Sequence, residues 1–174
     1  HPPTIGDLGT GCGTILVSLA YHLEAGEVWG CDLSPTALRV AAANARRHHL
    51  ENRVMLREGS LFDPFRPIAG RIFDVLVSNP PYIKSGDIPA LAKQIRDFEP
   101  LPALDGGPDG LTCIRAILED AADFLRPGGF LFLEAEPGLM PKIEEEAKRR
   151  GYVDFVVHQD ASGKERVAQC RTPD

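Results

Sequence analysis

Thr4-Ile5-Gly6-Asp7-Leu8-Gly9-Thr10-Gly11-Cys12-Gly13 is the stretch on which the reading of this chain turns. Thr4 to Leu8 is a short predicted strand that runs directly into a glycine loop. Behind the loop, Ile15 to Glu24 sets Ile15, Leu16, Leu19 and Leu23 on one side of a predicted helix. Strand, glycine turn and helix in that order open a parallel sheet, and the glycines permit a tight turn and a close approach of ligand to backbone.

The alternation continues along the chain. Glu27 to Leu33 reads as a second strand. Ser34 is the N-cap and Pro35 the first position of an alanine-rich helix over Thr36 to His49. Arg53 to Arg57 and Arg71 to Ser78 are the third and fourth strands. Ile83 to Gly110 carries several prolines and glycines and no clear period, and a loop of that length in a compact domain is usually functional or mobile. Leu111 to Leu125 is a helix stopped by Pro127-Gly128-Gly129, and Phe130 to Ala135 a fifth strand. Leu139 to Arg150 is a helix ended by Gly151. Tyr152 to His158 and Glu165 to Cys170 form a closing hairpin around Asp160 to Gly163. The expected fold class is α/β, a Rossmann-like and mostly parallel sheet with helices on both faces and a C-terminal antiparallel hairpin. In such a sheet ligands bind beyond the strand carboxyl ends, where the glycine loop, Asp32 and Asn79 to Tyr82 all fall.

Composition narrows the classes. The 174 residues, 43% hydrophobic and 25% charged, suit one globular domain over residues 1–174. No apolar run approaches the roughly 20 residues of a membrane span. Cys12, Cys31, Cys113 and Cys170 are scattered without a C-x-x-C pair, which argues against a zinc site and a disulfide framework and for reduced thiols in the cytoplasm. No metal is expected. The net charge of -6 lacks the basic footprint of a free-standing nucleic-acid binder. His1, His22, His48, His49 and His158 stand apart from the motifs and read as surface or core residues.

The glycine loop departs from two phosphate-binding patterns. G-x-G-x-x-G needs glycine or alanine where Thr14 stands, and the P-loop's G-K-[ST] is missing. Asp7 before the loop would repel a pyrophosphate and suits a cationic ligand. S-adenosylmethionine, with an ammonium and a sulfonium and no phosphate, meets that condition, and Asp7 can accept from the ammonium directly or through water. Asp32 ends the second strand about 20 residues on, where a carboxylate takes ribose hydroxyls. A nicotinamide-dependent dehydrogenase is disfavoured by the same Thr14 and Asp7.

Asn79-Pro80-Pro81-Tyr82 follows the apolar run Phe73-Asp74-Val75-Leu76-Val77-Ser78. Proline has no N–H but keeps its carbonyl. Asn79 offers a side-chain oxygen and Pro80 a backbone oxygen, two acceptors for the two hydrogens of one planar NH2. Tyr82 can stack on the same flat group. The tetrapeptide is thus read as holding a weak nitrogen nucleophile, either an amide or an exocyclic amine.

In order and spacing these motifs resemble Rossmann-like methyltransferases acting on amino groups. Phe98-Glu99-Pro100, then Ala103-Leu104-Asp105-Gly106-Gly107-Pro108-Asp109-Gly110-Leu111, resembles the release-factor glutamine-N5 methyltransferases, the HemK family. Leu133-Glu134 and Asp160-x-x-Gly163-x-x-Arg166 resemble it too, so the likeness covers essentially the whole chain. The resemblance implies N5-methylation of the glutamine in a Gly-Gly-Gln motif of a peptide chain release factor, with S-adenosylmethionine as cofactor. It implies a cofactor site of Asp7, Gly9, Thr10, Gly11, Gly13, Asp32, Leu33, Ser60, Leu61 and Asn79. It implies catalysis by Asn79, Pro80 and Tyr82, and substrate binding by Asn79, Pro80, Pro81, Tyr82 and Glu99.

Three departures from the family stand out. The family's small helical N-terminal domain, which helps recognise the release factor, is not in this chain. Ser60 replaces an Asp before Leu61, the residue flanking adenine, and is expected to hydrogen-bond the adenine amino group more weakly. Gly6 replaces a bulky apolar residue, which is expected to loosen the first strand. Two rival readings are an N6-adenine or other nucleic-acid methyltransferase, which shares the N-P-P-Y form, and a cofactor-binding fragment inactive without the helical domain.

Overall fold

The computed structural model describes all residues except Glu24, Ala25, Ala69 and Arg71. The chain runs through β1 (Thr4–Leu8), α1 (Thr14–His22), β2 (Glu27–Asp32), α2 (Pro35–Arg47), β3 (Val54–Glu58) and β4 (Phe73–Ser78). Two short helices follow, α3 (Lys93–Arg96) and α4 (Leu101–Leu104), then α5 (Thr112–Phe124), β5 (Leu125–Glu134), α6 (Met140–Arg149), β6 (Val153–Gln159) and β7 (Glu165–Arg171). The strands form a seven-stranded sheet in the order β3-β2-β1-β4-β5-β7-β6. β1 to β5 are parallel, and β7 joins β5 antiparallel and closes with β6 as the expected hairpin. The direction of winding reverses between β1 and β4, the switch point at which such sheets bind ligands. Among the described residues no helix is long and apolar enough to cross a membrane.

Two hydrophobic clusters cover opposite faces. α1 and α2 bury Leu16, Val17, Ala20 and Ala45 against Ile5, Val28 and Val54. On the other face, Ile114, Ile117, Leu118 and Ala121 of α5 recur at helical spacing and pack with Ile143 and Ala147 of α6 over Leu8, Leu76 and Leu131. Strand alternation turns Phe130 away from that cluster, so it stays exposed on the opposite face, stacked on Phe132. Ser34 caps α2 as expected, its hydroxyl accepting from Ala37 N at 3.2 Å with Pro35 behind it.

Several expectations shift. The predicted ends at Glu24 and Arg71 lie outside the described residues; α1 ends at His22 and β4 begins at Phe73. α5 stops at Phe124, and Leu125 already pairs with Phe73. Pro127-Gly128-Gly129 therefore lies inside β5, in an irregularity before pairing resumes at Val75 and Phe130. The carboxyl-terminal residues hold it there. Gly129 N donates to Thr172 Oγ1 at 3.1 Å and Gly128 N to Pro173 O at 3.0 Å.

Gly6 does not loosen β1. A Cβ at that position would stand 2.6 Å from Leu76 Cδ2 and 3.0 Å from Phe73 Cε1, because those two side chains fill the space. Glycine is the fit here, and the volume beside it is filled from β4. The long segment 83–110 also has more structure than its sequence suggests. It contains α3 and α4, and it returns to pair Ile83 with Asp105.

Candidate active site at the strand carboxyl ends

Register places the motifs side by side. Leu8 pairs with Cys31 on one side and Ser78 on the other, and Asp32 pairs with Glu58. Gly9, Asp32, Gly59 and Asn79 thus leave four adjacent strands at one edge. Ser78 Oγ donates to Leu8 O at 2.7 Å and ties the ends of β4 and β1 together.

Gly9, Gly11 and Gly13 take φ of 71, 56 and 82°, left-handed values that favour glycine. The loop is anchored by Thr10 N on Cys31 O at 2.9 Å and Gly11 N on Asp32 Oδ2 at 2.8 Å. Asp32 Oδ1 accepts from Ser34 N at 2.8 Å, and its carbonyl accepts from Gly59 N at 3.0 Å. Asp32 therefore joins the loop, the exit of β3 and the start of α2. Each of its carboxylate oxygens keeps a second lone pair for a hydroxyl donor. Beside it Leu33 is 67% exposed. Ser60 is half-buried, and Leu61, left-handed at φ 43°, accepts at its carbonyl from Cys31 Sγ at 3.0 Å.

Asp7 is 1% exposed. Its Oδ2 accepts from Thr10 Oγ1 at 2.6 Å, while the enclosed Oδ1 has no hydrogen-bond partner among the described residues. Burial pushes the carboxyl up to about 6, against the pull of the Thr10 hydroxyl. A buried, half-satisfied carboxylate asks for a donor, best a cationic one.

Asn79 is exposed and Pro80 buried. Neither the Asn79 side chain nor the Pro80 carbonyl is hydrogen-bonded among the described residues. Half-buried Tyr82 follows, its phenol held above the ordinary range by burial and then by Glu134. Residues 104–110 strap this segment in place. Ile83 N donates to Leu104 O at 3.1 Å, Gly106 N to Ile83 O at 2.8 Å and Ser85 N to Gly107 O at 3.0 Å. Backbone lies on backbone: a Cβ on Gly106 would stand 2.7 Å from Tyr82 Cα, and one on Gly110 2.5 Å from Tyr82 O. Asp105 accepts from Ser85 Oγ at 2.6 Å and Gly107 N at 2.9 Å, which hold its carboxyl below the usual range. Asp109 takes both forks of Arg115, at 3.1 and 2.6 Å, and Arg115 Nε reaches Glu146 on α6 at 2.7 Å.

The structure brings Asp7, the glycine loop, Asp32, Gly59-Ser60-Leu61 and Asn79 to Tyr82 to one edge. It does not bring Glu99 there. Glu99 is exposed between α3 and α4 and is not among the residues lining the groove beside Tyr82. Sequence reasoning gave no site role to Glu134, Lys164 and Arg166, which stand near Tyr82. The signal was present in Asp160-x-x-Gly163-x-x-Arg166. A second cavity of about 500 Å3, between α1 and α2, has Tyr21, His22 and His48 in its lining and does not reach Asn79. Among the described residues no group of three or more His, Cys, Asp or Glu could hold a metal.

A family model described as a methyltransferase domain matches residues 4–164. A release factor glutamine methyltransferase of Geobacter sulfurreducens is 42% identical over 171 residues, 98% of this chain and 58% of that protein. One of Gloeobacter violaceus is 44% identical over 164 residues, 92% of this chain and 56% of that protein. The chain thus spans a little over half the length of these relatives. Among solved structures, a methyltransferase of Pyrococcus furiosus superposes with a TM-score of 0.71 at 19% identity, covering 99% of this chain and 76% of that one.

Proposed function

We propose, for a chain that belongs to the methyltransferase domain family, that it methylates the side-chain amide nitrogen of a glutamine in a peptide chain release factor. The cofactor on this reading is S-adenosylmethionine. The observation that carries the proposal is the pair of unengaged acceptors, Asn79 Oδ1 and Pro80 O, at the switch point beside the half-satisfied Asp7. The names of the relatives support the choice of a glutamine amide over a nucleobase.

The residues fit the cofactor. Asp7 offers a buried oxygen without a partner to an ammonium, directly or through water. Asp32 keeps lone pairs for ribose hydroxyls, Gly9 and Gly11 leave the loop accessible to a ligand, and the buried Thr10 and Gly13 hold its shape from below. Leu33, Ser60 and Leu61 stand at the neighbouring strand exits, where adenine would lie. Bound there, S-adenosylmethionine supplies a methyl group carried on a sulfonium.

The chain's own contribution is orientation. An amide lone pair is delocalised and a poor nucleophile. Asn79 Oδ1 and Pro80 O accept the two N–H groups of the glutamine amide and aim its nitrogen, an effect that can supply several kcal/mol. The same oxygens stabilise the positive charge that develops on nitrogen. Tyr82, pinned by the strap, covers the flat amide, and Pro81 fixes the spacing between them. Proton loss can follow transfer, so no side chain is assigned as a base. The buried thiols of Cys31 and Cys170, pushed up to about 12 by burial, stay protonated and take no part in the transfer.

Asn79→Ala tests the assignment in a methylation assay with a release factor. Transfer should be abolished, with cofactor affinity within a few fold of the parent. Equal turnover by the variant would remove Asn79 from the mechanism.

A further inference from the structure

We propose that the hairpin motif Asp160-x-x-Gly163-x-x-Arg166 places Arg166 and Lys164 to bind the main chain of the substrate beside its target glutamine. The inference rests on the preceding reading and adds to it where the polypeptide lies.

The turn is built around one carboxylate. Asp160 Oδ1 accepts from Ser162 N at 2.8 Å, Ser162 Oγ at 2.6 Å and Lys164 N at 3.1 Å. Gly163 supplies the left-handed residue at φ 80°. These contacts complete the turn without Arg166. Yet Asp160 Oδ2 also faces Arg166 Nε, at 3.5 Å with a third of the arginine side chain exposed. That contact is too long to be a strong hydrogen bond and leaves most of the guanidinium's five donors unengaged by Asp160. It orients the fork and does not consume it.

Arg166 and Tyr82 line one groove of about 650 Å3, within the usual range of ligand sites. Lys84, Asp87, Glu136 and Lys164 share that lining with the apolar Ile83 and Pro137. Donors and acceptors are thus interspersed with apolar patches. That mixture matches an extended polypeptide, which presents one N–H and one C=O per residue. It matches glycines ahead of a glutamine in particular, since glycine offers a binding site only main chain to read. The asymmetry of the motif then has a cause: Asp160 and Gly163 make the turn, and Arg166 uses it.

The test compares the chain with its Arg166→Ala, Arg166→Lys, Lys164→Ala and Asp160→Asn variants. Calorimetry gives the affinity for a release factor and, separately, for S-adenosylmethionine; steady-state methylation gives KM and kcat. Arg166→Ala should raise the release-factor Kd and KM about tenfold or more, the effect of losing a charged hydrogen bond. Cofactor affinity should stay within about twofold, and kcat should fall less than KM rises. Arg166→Lys should recover part of the loss. Lys164→Ala and Asp160→Asn should weaken release-factor binding to a smaller degree. Unchanged Kd and KM in Arg166→Ala beside an active parent would overturn this inference alone. So would an equal loss of cofactor binding, which marks a structural role. A parent that neither binds nor methylates a release factor would overturn the function proposed above, and this inference with it.

Discussion

Asp7→Asn isolates the charge that the fold buries beneath the glycine loop. In the folded chain the carboxyl is pushed from 3.8 up to about 6, chiefly by burial. Folded Asp7 therefore keeps its proton over a pH range in which the unfolded chain has lost it. The stability this gives is fully present below about pH 4 and is lost as pH rises through 6. The gap between 3.8 and 6, at about 1.4 kcal/mol per pH unit, is about 3 kcal/mol. Asparagine keeps the shape and the acceptor for Thr10 but cannot ionise. The stability of the variant relative to its parent should therefore rise by about that amount between pH 4 and pH 7, on top of a constant offset from the exchanged amide. For a chain of this size that is roughly 6–12 °C in relative melting temperature. Thermal melts of both ligand-free proteins at half-unit pH steps would measure it. A melting difference that stays flat across this window would refute the assignment of a buried, half-satisfied carboxylate.

Gly6→Val should cost about 1–3 kcal/mol in a denaturant melt, because Leu76 and Phe73 already occupy the space a side chain would need; a neutral or stabilising effect would restore the idea of a loosened first strand. Gly110→Ala should depress methyl transfer far more than cofactor binding. Its Cβ would stand 2.5 Å from Tyr82 O at a left-handed φ of 81°, and preserved turnover would count against the strap as the support of Tyr82. Asp32→Ala should weaken S-adenosylmethionine binding by about 1.5–3 kcal/mol, the loss of a charged hydrogen bond. It should also lower the melting temperature of the ligand-free chain, since Gly11 N and Ser34 N lose their acceptor. Unchanged affinity in calorimetry would take Asp32 out of the site.

What could be read in advance were features whose cause is local. The glycine loop, the Ser34-Pro35 start of α2 and the Asp160 to Gly163 turn each follow from the backbone preferences of a few neighbouring residues. A mostly parallel sheet followed from the alternation of elements, and with it the meeting of Asp7, Asp32 and Asn79 at one edge, whereas the strand order itself was not legible. Contacts between distant residues were not legible. Whether Gly6 leaves a void depends on Leu76 and Phe73, some 70 residues away. Pro127-Gly128-Gly129 reads as a stop because its partners, Thr172 and Pro173, lie at the far end of the chain. The segment from Ile83 to Gly110 shows no period because α3 and α4 are too short to display one. Its order comes from pairing with itself and from the Asp109–Arg115–Glu146 cluster. Glu99 shares a sequence block with residues that do reach Tyr82, but it stands exposed between α3 and α4, outside the groove lining beside Tyr82.

The most direct measurement is the mass of release-factor peptides after incubation with this chain and S-adenosylmethionine. The proposed function predicts one added methyl group on the glutamine of the Gly-Gly-Gln motif, absent when Asn79→Ala replaces the parent chain. An unmodified glutamine, with the methyl group recovered instead in DNA or RNA supplied alongside, would contradict it.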